Sequence, residues 1–248
     1  MSRSMNNSNT NRSGTNCRVI GEYFSRKNHV LKIRLEDSSC PGSLLILKKF
    51  PSARQAEMEF NNLLELKKSG IKVPWPMGLD GPALYMQYLE GLLLTDIIEK
   101  EMLPRAAWTG KMACWYANLH LSSIAGKTGK NGALLKTDNN LRNFIYAGED
   151  FYGLDFEEIN TGDPARDIGQ ICAFILTDRP AFTMAKKTAA GELARRYLSL
   201  NRSANPARIE QEVLVELEKM AMRRKEEELS IREYINALPG GRINLFSS

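Results

Sequence analysis

The stretch "LKTDNNLRNFIYAGEDFYGLDFEE", residues 135–158, places acids and amides in short polar turns around two apolar runs. The runs "FIY" and "FYGL", with a glycine-containing turn between them, are typical of a β-hairpin. Asp138 and Asn143 lie on the loop that leads into the first run, and Asp155 follows the second. A hairpin would therefore bring Asn143 and Asp155 side by side at its open end.

These residue types suit a divalent cation. Mg²⁺ binds a few carboxylate or amide oxygens and completes its shell with water and phosphate. We therefore expect Asn143 and Asp155 to form a two-ligand set for Mg²⁺, with Asp138 close enough to accept a proton from an attacking hydroxyl. Each of the three is also an ordinary turn former, so the prediction depends on the joint pattern.

Composition sets wider limits. The 248 residues, 43% of them apolar, can bury a core as one large domain or as two closely packed lobes. The net charge of +5 suits an anionic ligand, but the charged residues are interspersed and indicate no nucleic-acid interface. Without an apolar run long enough for a membrane or a signal peptide, the sequence predicts a cytoplasmic protein with no transmembrane segment. Four cysteines without a CxxC pair (Cys17, Cys40, Cys114 and Cys172) are expected to be reduced thiols.

The first third of the chain reads as mainly β. Residues 1–16 are too polar to enter a core and are expected to be a disordered tail. Short β-like runs at 17–24, 29–36 and 44–50 predict three successive antiparallel strands, and 83–89 predicts a further strand. A helix is expected from Ser52, which can cap it, to about Ser69.

From residue 91 the pattern is mainly helical. A short helix capped at Thr95 and a longer helix opened by Pro104 are expected before the hairpin. Three further segments, 163–176, 181–200 and 205–238, carry helical periodicity. Asp163 is expected to cap the helix that begins at Pro164.

The order and spacing of these motifs resemble the protein-kinase-like superfamily over about residues 17–180. The similarity is to its compact phosphotransferase branch, which includes aminoglycoside and choline phosphotransferases, RIO-type kinases and sugar kinases of lipopolysaccharide cores. "DNNLRN" at 138–143 and "DFE" at 155–157 match the pattern D-x-x-x-x-N followed by D-F-G or D-F-E. "LILKKF" at 45–50, "YMQYLEG" at 85–91 and "GDPARDIG" at 162–169 are similar to the lysine strand, the hinge and the segment whose acid, here Asp167, braces the catalytic loop.

The resemblance implies an α+β, two-lobed protein-kinase-like fold, with a small antiparallel β lobe carrying one helix at 17–90 and a larger helical lobe at 91–248. It also implies an ATP-dependent kinase that uses Mg²⁺ or Mn²⁺ and phosphorylates a hydroxyl of a small molecule or sugar, with a protein serine or threonine as the second choice of acceptor. Asp138 would be the catalytic base, and Asn143 and Asp155 would hold the metal.

The resemblance assigns the nucleotide to the first lobe. Lys48, paired with Glu59, would hold the phosphates, and the backbone of Gln87, Tyr88 and Leu89 would contact the adenine edge. Strand alternation makes Lys49 the rival of Lys48, and Glu57 is the rival of Glu59. In the second lobe, His120 is expected to be a hydrogen-bonded packing residue, with a catalytic base as the alternative.

Three departures from the family pattern leave an alternative open. Lys136 stands where these families commonly have His or Arg, and it would either approach the γ-phosphate or point to solvent. No GxGxxG lies between the first two strands. No A-P-E follows Asp155, which makes a peptide substrate a weaker prediction. The alternative is a pseudokinase, a binding or scaffold protein without turnover, although a complete set of phosphate, metal and base residues favours catalysis.

Overall fold

The computed structural model describes residues 17–36, 42–122 and 132–246. The chain divides into two compact units, which we call the β unit (the described residues up to Lys67, with Val73–Glu90) and the helical unit (Lys68–Lys72, with the described residues from Gly91 onward). The predicted tail and Cys40 lie outside the described residues. The predicted α+β class, an antiparallel sheet followed by a mainly helical region, is confirmed.

The β unit is built on one antiparallel sheet in the order β1-β2-β3-β5-β4. Its strands are β1 Cys17–Tyr23, β2 His29–Leu35, β3 Leu44–Lys49, β4 Pro76–Asp80 and β5 Ala83–Gln87. Four of them match the predicted runs. β4 was not predicted because its proline and glycine are typical of turns. It is an edge strand that begins with Pro76, and a proline is tolerated at this position because only one N–H is missing from the sheet.

Helix α1, Ala53–Lys68, completes the β unit. Its first turn is capped as predicted, with the Ser52 hydroxyl accepting the amide N–H of Gln55 at 3.4 Å. Ala56, Leu63 and Leu66 are buried at the spacing of one helical face, and Glu59 is buried on that same face. A carboxylate buried among apolar residues needs a charged or hydrogen-bonding partner.

The helical unit contains short strands and longer helices. Its helices are α2 Leu94–Glu99, α3 Arg105–His120, α4 Ala165–Thr177, α5 Met184–Leu200, α6 Pro206–Arg223 and α7 Glu228–Asn236. Its strands are β6 Leu92–Leu93, β7 Ala133–Leu135, β8 Phe144–Ala147, β9 Asp150–Gly153 and β10 Asn160–Gly162. Two 3₁₀ turns lie at Leu141–Asn143 and Pro239–Gly241. β6, β8 and β9 form one small sheet, and β7 pairs with β10.

Helix α4 is the centre of this unit, because it is buried along nearly all of its length and packs against α5 and α6. Gly169 permits the close approach to α6, since a Cβ atom there would lie 2.5 Å from the Cβ of Glu212. The buried residues of α6 include an apolar stripe, Ile209, Val213, Leu217 and Met220.

Helix boundaries differ from the predictions in three places. α2 begins at Leu94 without a side-chain cap, so the predicted cap at Thr95 is wrong. Pro104 is the residue before α3, with an extended ψ of 133°. The segment 205–238 is interrupted after Arg223, and α7 starts at Glu228. The predicted cap at Asp163 is confirmed, because its carboxylate accepts the Ala165 amide at 2.9 Å.

Two further expectations concern thiols and membranes. Cys17, Cys114 and Cys172 are free thiols, as expected, and burial raises the pKa of Cys172 to about 12. Within 17–36, 42–122 and 132–246, no helix combines the length and apolar character needed to cross a membrane.

Candidate active site

The predicted hairpin is present and forms the frame of the site. β8 and β9 are antiparallel, with Phe144 opposite Gly153. Beyond this pair, the amide of Leu154 donates to the carbonyl of Asn143 at 2.8 Å. Asn143 and Asp155 are therefore neighbours across the open end of the hairpin. Gly153 is required for the packing beneath, since a Cβ atom there would lie 2.4 Å from the ring of Trp115.

Asp138 and Asn143 are tied together by the loop between them. The backbone amide of Asn140 donates to the Asp138 carboxylate at 3.2 Å. The side-chain amide nitrogen of Asn143 donates to the Asp138 carbonyl at 3.4 Å. The hydrogen bond of the side-chain nitrogen fixes which end of the Asn143 amide faces the loop. The side-chain oxygen is the atom that could bind a cation. Asp138 itself is exposed, so its carboxylate is accessible to a substrate.

Two residues of the site have left-handed backbone conformations. Asp155 has a φ of 62° and Thr137 a φ of 70°. A residue with a Cβ atom adopts this conformation at a cost of about 1–2 kcal/mol, so surrounding contacts must hold it. One strained position is the predicted metal ligand Asp155 itself, and the other, Thr137, directly precedes the predicted base Asp138.

Asp167 braces the loop from below, as the resemblance implied. The residue is 1% exposed, and its carboxylate accepts hydrogen bonds from the backbone amides of Lys136 at 2.7 Å and Thr137 at 3.2 Å. The side-chain amide of Asn139 donates to it at 2.9 Å. Burial alone would raise the pKa of Asp167, but the hydrogen bonds from His120, Lys136 and Asn139 outweigh it and hold the pKa below its ordinary value. The brace is thus an anion at neutral pH.

His120 is a buried link in this brace. Its Nε2 lies 3.2 Å from the Asp167 carboxylate and its Nδ1 lies 2.8 Å from the Tyr197 hydroxyl. Asn201 donates to the same hydroxyl at 2.8 Å. These contacts are all satisfied when Nε2 donates to the carboxylate and Tyr197 donates to Nδ1. The prediction of a hydrogen-bonded packing residue is confirmed.

The structure contradicts one of the two predicted placements of Lys136. Its side chain is 0% exposed, so the solvent alternative is wrong. The ammonium donates to the backbone carbonyls of Leu154 at 2.6 Å and Asp155 at 3.3 Å. The ammonium therefore has protein partners in the folded chain, and the other expectation, a contact with the γ-phosphate, stays a prediction.

In the β unit, Lys48 and Glu59 form a buried ion pair. The ammonium lies 2.6 Å from the Glu59 carboxylate, and the two residues are 6% and 1% exposed. The pair joins β3 to the buried face of α1. Of the rivals, Lys49 is half-buried and Glu57 is exposed.

Solved structures resemble the chain along most of its length. The gentamicin complex of APH(2″)-IIa has 12% identity and a TM-score of 0.56, over 94% of this chain and 93% of that one. The ADP-bound aminoglycoside phosphotransferase APH(2″)-Ib has 14% identity and a TM-score of 0.53, over 94% of each chain. Plasmodium vivax ethanolamine kinase has 11% identity and a TM-score of 0.56, over 84% of this chain and 76% of that one. No family model matches the chain, and no curated protein matches it.

The chain has the protein-kinase-like fold of the compact phosphotransferases. At these identities the likeness establishes the fold, so the function has to be argued from the residues.

The resemblance predicts that the segment after β5 is the hinge. The amide N–H of Gln87 already donates to the Trp75 carbonyl at 2.9 Å, so this N–H is engaged within the sheet. Tyr88 and Leu89 follow directly and are half-buried, and the Lys32 ammonium lies 3.8 Å from the Tyr88 ring centroid. Adenine contacts by the backbone therefore fall mainly to Tyr88 and Leu89, which stays a prediction.

A network of polar side chains in the helical unit was not found from the sequence. Asn139 accepts a hydrogen bond from the Tyr116 hydroxyl at 2.7 Å and donates to the Gln170 side chain at 2.7 Å. The side-chain amide nitrogen of Gln170 in turn donates to the Glu216 carboxylate on α6 at 3.4 Å. Burial raises the pKa of Tyr116 well above its ordinary value, so it acts as a neutral donor. Their partners are distant in sequence, and no local pattern marks them.

Proposed function

We propose that the protein is an ATP-dependent phosphotransferase that transfers the γ-phosphoryl group to a hydroxyl of a small molecule or sugar. The proposal rests mainly on one observation: Asp138, Asn143 and Asp155 are held on a single hairpin-and-loop frame that the buried Asp167 anchors. Phosphoryl transfer needs positioning and charge neutralisation more than covalent chemistry, and a fixed set of this kind supplies both.

Lys48 would hold the nucleotide phosphates. Its ammonium is fixed by Glu59, so it is positioned before the nucleotide arrives. Tyr88 and Leu89 would hydrogen-bond the adenine edge through their backbone, with Gln87 offering its carbonyl. The ADP-bound neighbour has the same fold, which supports a nucleotide as the ligand.

Asn143 and Asp155 fit a magnesium or manganese ion by their donor chemistry. They offer an amide oxygen and a carboxylate from adjacent positions at the open end of the hairpin. Both are hard oxygen ligands, which Mg²⁺ prefers, and two protein ligands leave room for phosphate oxygens and water. When bound, the ion would neutralise charge on the phosphates. Asn143 also ties this pair to Asp138 through its amide nitrogen.

Asp138 would accept the proton of the acceptor hydroxyl. Its exposed carboxylate is oriented by the Asn140 amide, and a carboxylate placed in this way aims the hydroxyl oxygen as well as deprotonating it. The neighbours are named for complexes or activities with gentamicin and ethanolamine, both of which carry hydroxyl and amine groups. Amino alcohols and aminosugars are therefore the first acceptors to try.

The test is ATP consumption by the purified protein with Mg²⁺ or Mn²⁺ and a panel of aminosugars, amino alcohols and neutral sugars. We expect turnover that depends on an acceptor and falls by about 10²–10⁴-fold in Asp138→Asn, the usual contribution of a general base. Lys111→Gln, an exposed change outside the proposed site, is the control and should retain activity.

The pseudokinase alternative gives a different result. It predicts that ATP with Mg²⁺ raises the melting temperature and that Asp155→Ala removes this rise, without turnover on any acceptor. If the nucleotide does not bind at all, with or without a metal, both functions are contradicted.

A further inference from the structure

Lys136 contacts the backbone on both sides of one rotatable residue. The Leu154 carbonyl belongs to the peptide plane before Asp155, and the Asp155 carbonyl belongs to the plane after it. The angle between these two planes is set by φ and ψ of Asp155 alone. A single ammonium that donates to both oxygens, at 2.6 and 3.3 Å, therefore restricts both dihedral angles of Asp155.

The restriction acts where the backbone needs support. Asp155 has a left-handed φ of 62°, which a residue with a Cβ atom adopts only when its surroundings impose it. The direction of its carboxylate follows from its backbone, because the Cα–Cβ bond turns with φ and ψ. Fixing these angles fixes the side of the hairpin end toward which the carboxylate points.

The lysine side chain suits this task chemically. An ammonium has three N–H bonds and can donate to two carbonyl oxygens at once. A neutral imidazole has only one N–H and could donate to one of them. Two aromatic faces surround the charge, since the Lys136 ammonium lies 4.6 Å from the Phe156 ring centroid and 5.5 Å from that of Phe144. Carbonyl dipoles and ring faces together solvate a cation that water does not reach.

The same residue is fixed at its other end. The backbone amide of Lys136 donates to the Asp167 carboxylate at 2.7 Å, and its carbonyl accepts the Asp138 amide at 3.0 Å. One residue thus connects the brace, the loop that carries Asp138 and the backbone that carries Asp155.

We propose that Lys136 is a positioning residue that sets the backbone of Asp155 and thereby the aim of its metal-binding carboxylate. This inference rests on the proposed function. It gives the lysine in "KTD" a role in the site and removes it as a reason to read the chain as a pseudokinase.

The test measures metal binding without turnover. Free Mn²⁺ is followed by electron paramagnetic resonance while the protein, saturated with a non-hydrolysable ATP analogue, is titrated with the ion. Loss of an outer contact to a metal ligand typically weakens metal affinity by about 10–100-fold, so we expect a loss of this size in Lys136→Met. Lys136→Arg keeps the charge and can donate to two carbonyls, and it should recover most of the affinity.

Lys186→Met is the matched control. Lys186 is also a buried lysine of the helical unit, 6% exposed, and its ammonium lies 2.7 Å from the Asp178 carboxylate. Removing it should lower the melting temperature and leave the Mn²⁺ affinity unchanged. Thermal unfolding verifies first that each variant is folded, and if Lys136→Met is not, Lys136→Gln replaces it as the uncharged variant.

The outcomes separate this inference from the proposed function. If the wild-type protein binds no Mn²⁺ with the nucleotide analogue, the proposed function itself is contradicted. If the wild type binds and Lys136→Met binds equally well, Lys136 does not position Asp155. If Lys136→Met and Lys186→Met lose affinity equally, the loss reflects general destabilisation and the inference is also wrong.

Discussion

Two buried lysines serve the two units in different ways. Lys48, on β3, donates to the carboxylate of Glu59 on α1. Lys136, before the hairpin, donates to two backbone carbonyls. The first contact joins opposite charges on two regular elements, and the second joins a charge to the peptide dipoles of a strained turn.

The difference explains why one contact could be predicted and the other could not. The Lys48–Glu59 pair was predicted from the resemblance of the lysine strand and the following helix to the protein-kinase-like superfamily, while strand alternation alone left Lys49 as a rival of Lys48. A backbone carbonyl occurs in every residue and leaves no mark in the sequence. Where a charged side chain meets the main chain, only the three-dimensional position of the turn identifies the partner.

Asp167 is the anionic counterpart of Lys136, and its replacement should have the largest effect on stability. In Asp167→Asn one carboxylate oxygen becomes an N–H₂ group that faces two donors, for example the Lys136 amide and His120. Losing two hydrogen bonds to a charged acceptor should cost about 3–6 kcal/mol in the free energy of unfolding. Chemical denaturation measures it, and a cost below 1 kcal/mol would show that the brace is not a source of stability.

The pH dependence of this cost has a definite sign. The pKa of Asp167 is lowered in the folded protein, so its stabilising contribution is complete above its unfolded value and is lost as pH falls through the folded value. The difference in stability between wild type and Asp167→Asn should therefore stay constant near neutral pH and narrow below about pH 4. A difference that widens in acid would contradict the assignment of Asp167 as an anion.

Glu59→Gln should have the next largest effect. It leaves the Lys48 ammonium buried without its carboxylate, and breaking one side of a buried pair costs about 3–5 kcal/mol. The double variant Lys48→Met with Glu59→Gln should cost clearly less than the sum of the single changes, because each single change breaks the same ion pair. Unfolding of all four proteins in urea forms the cycle, and strict additivity would mean that the two charges do not interact.

Lys136→Met should cost less in stability than Glu59→Gln. Carbonyl groups carry partial charges, so leaving them without a donor costs about 1–3 kcal/mol. This variant should instead have its main effect on Mn²⁺ affinity. Both variants are measured by the same urea titration. If Lys136→Met lowered the free energy of unfolding more than Glu59→Gln, the proposed difference between the two lysines would be wrong.

Much of the fold could be read from local patterns. β1, β2, β3, α1 and the hairpin follow from alternation, helical periodicity and turn residues. β4 and the two- or three-residue strands β6, β7 and β10 were missed, because strands this short or rich in proline and glycine carry too little pattern.

The candidate site divides in the same way. Asn143 and Asp155 could be placed together because a hairpin fixes their positions. The Lys48–Glu59 contact that the family resemblance implied is present. The roles of these residues stay predictions. Asn139 could not be assigned, because its partners Tyr116 and Gln170 come from helices whose packing the sequence does not define.

The smallest expected effect tests whether burial, rather than the type of contact, sets the cost. Asp163, like Asp167, has a carboxylate that accepts a hydrogen bond from the backbone, here from the Ala165 N–H, but its side chain is 40% exposed. Asp163→Ala should lower the free energy of unfolding by about 1 kcal/mol through loss of the α4 cap, and Asp163→Asn should cost little because asparagine caps equally well. Arg208→Gln controls for the exposed ion pair with Asp163 and should cost at most about 1 kcal/mol. If Asp163→Ala lowered the free energy of unfolding as much as Asp167→Asn, the type of contact would matter more than burial. The expected order of effects, largest for buried charges and smallest for the exposed one, would then be wrong.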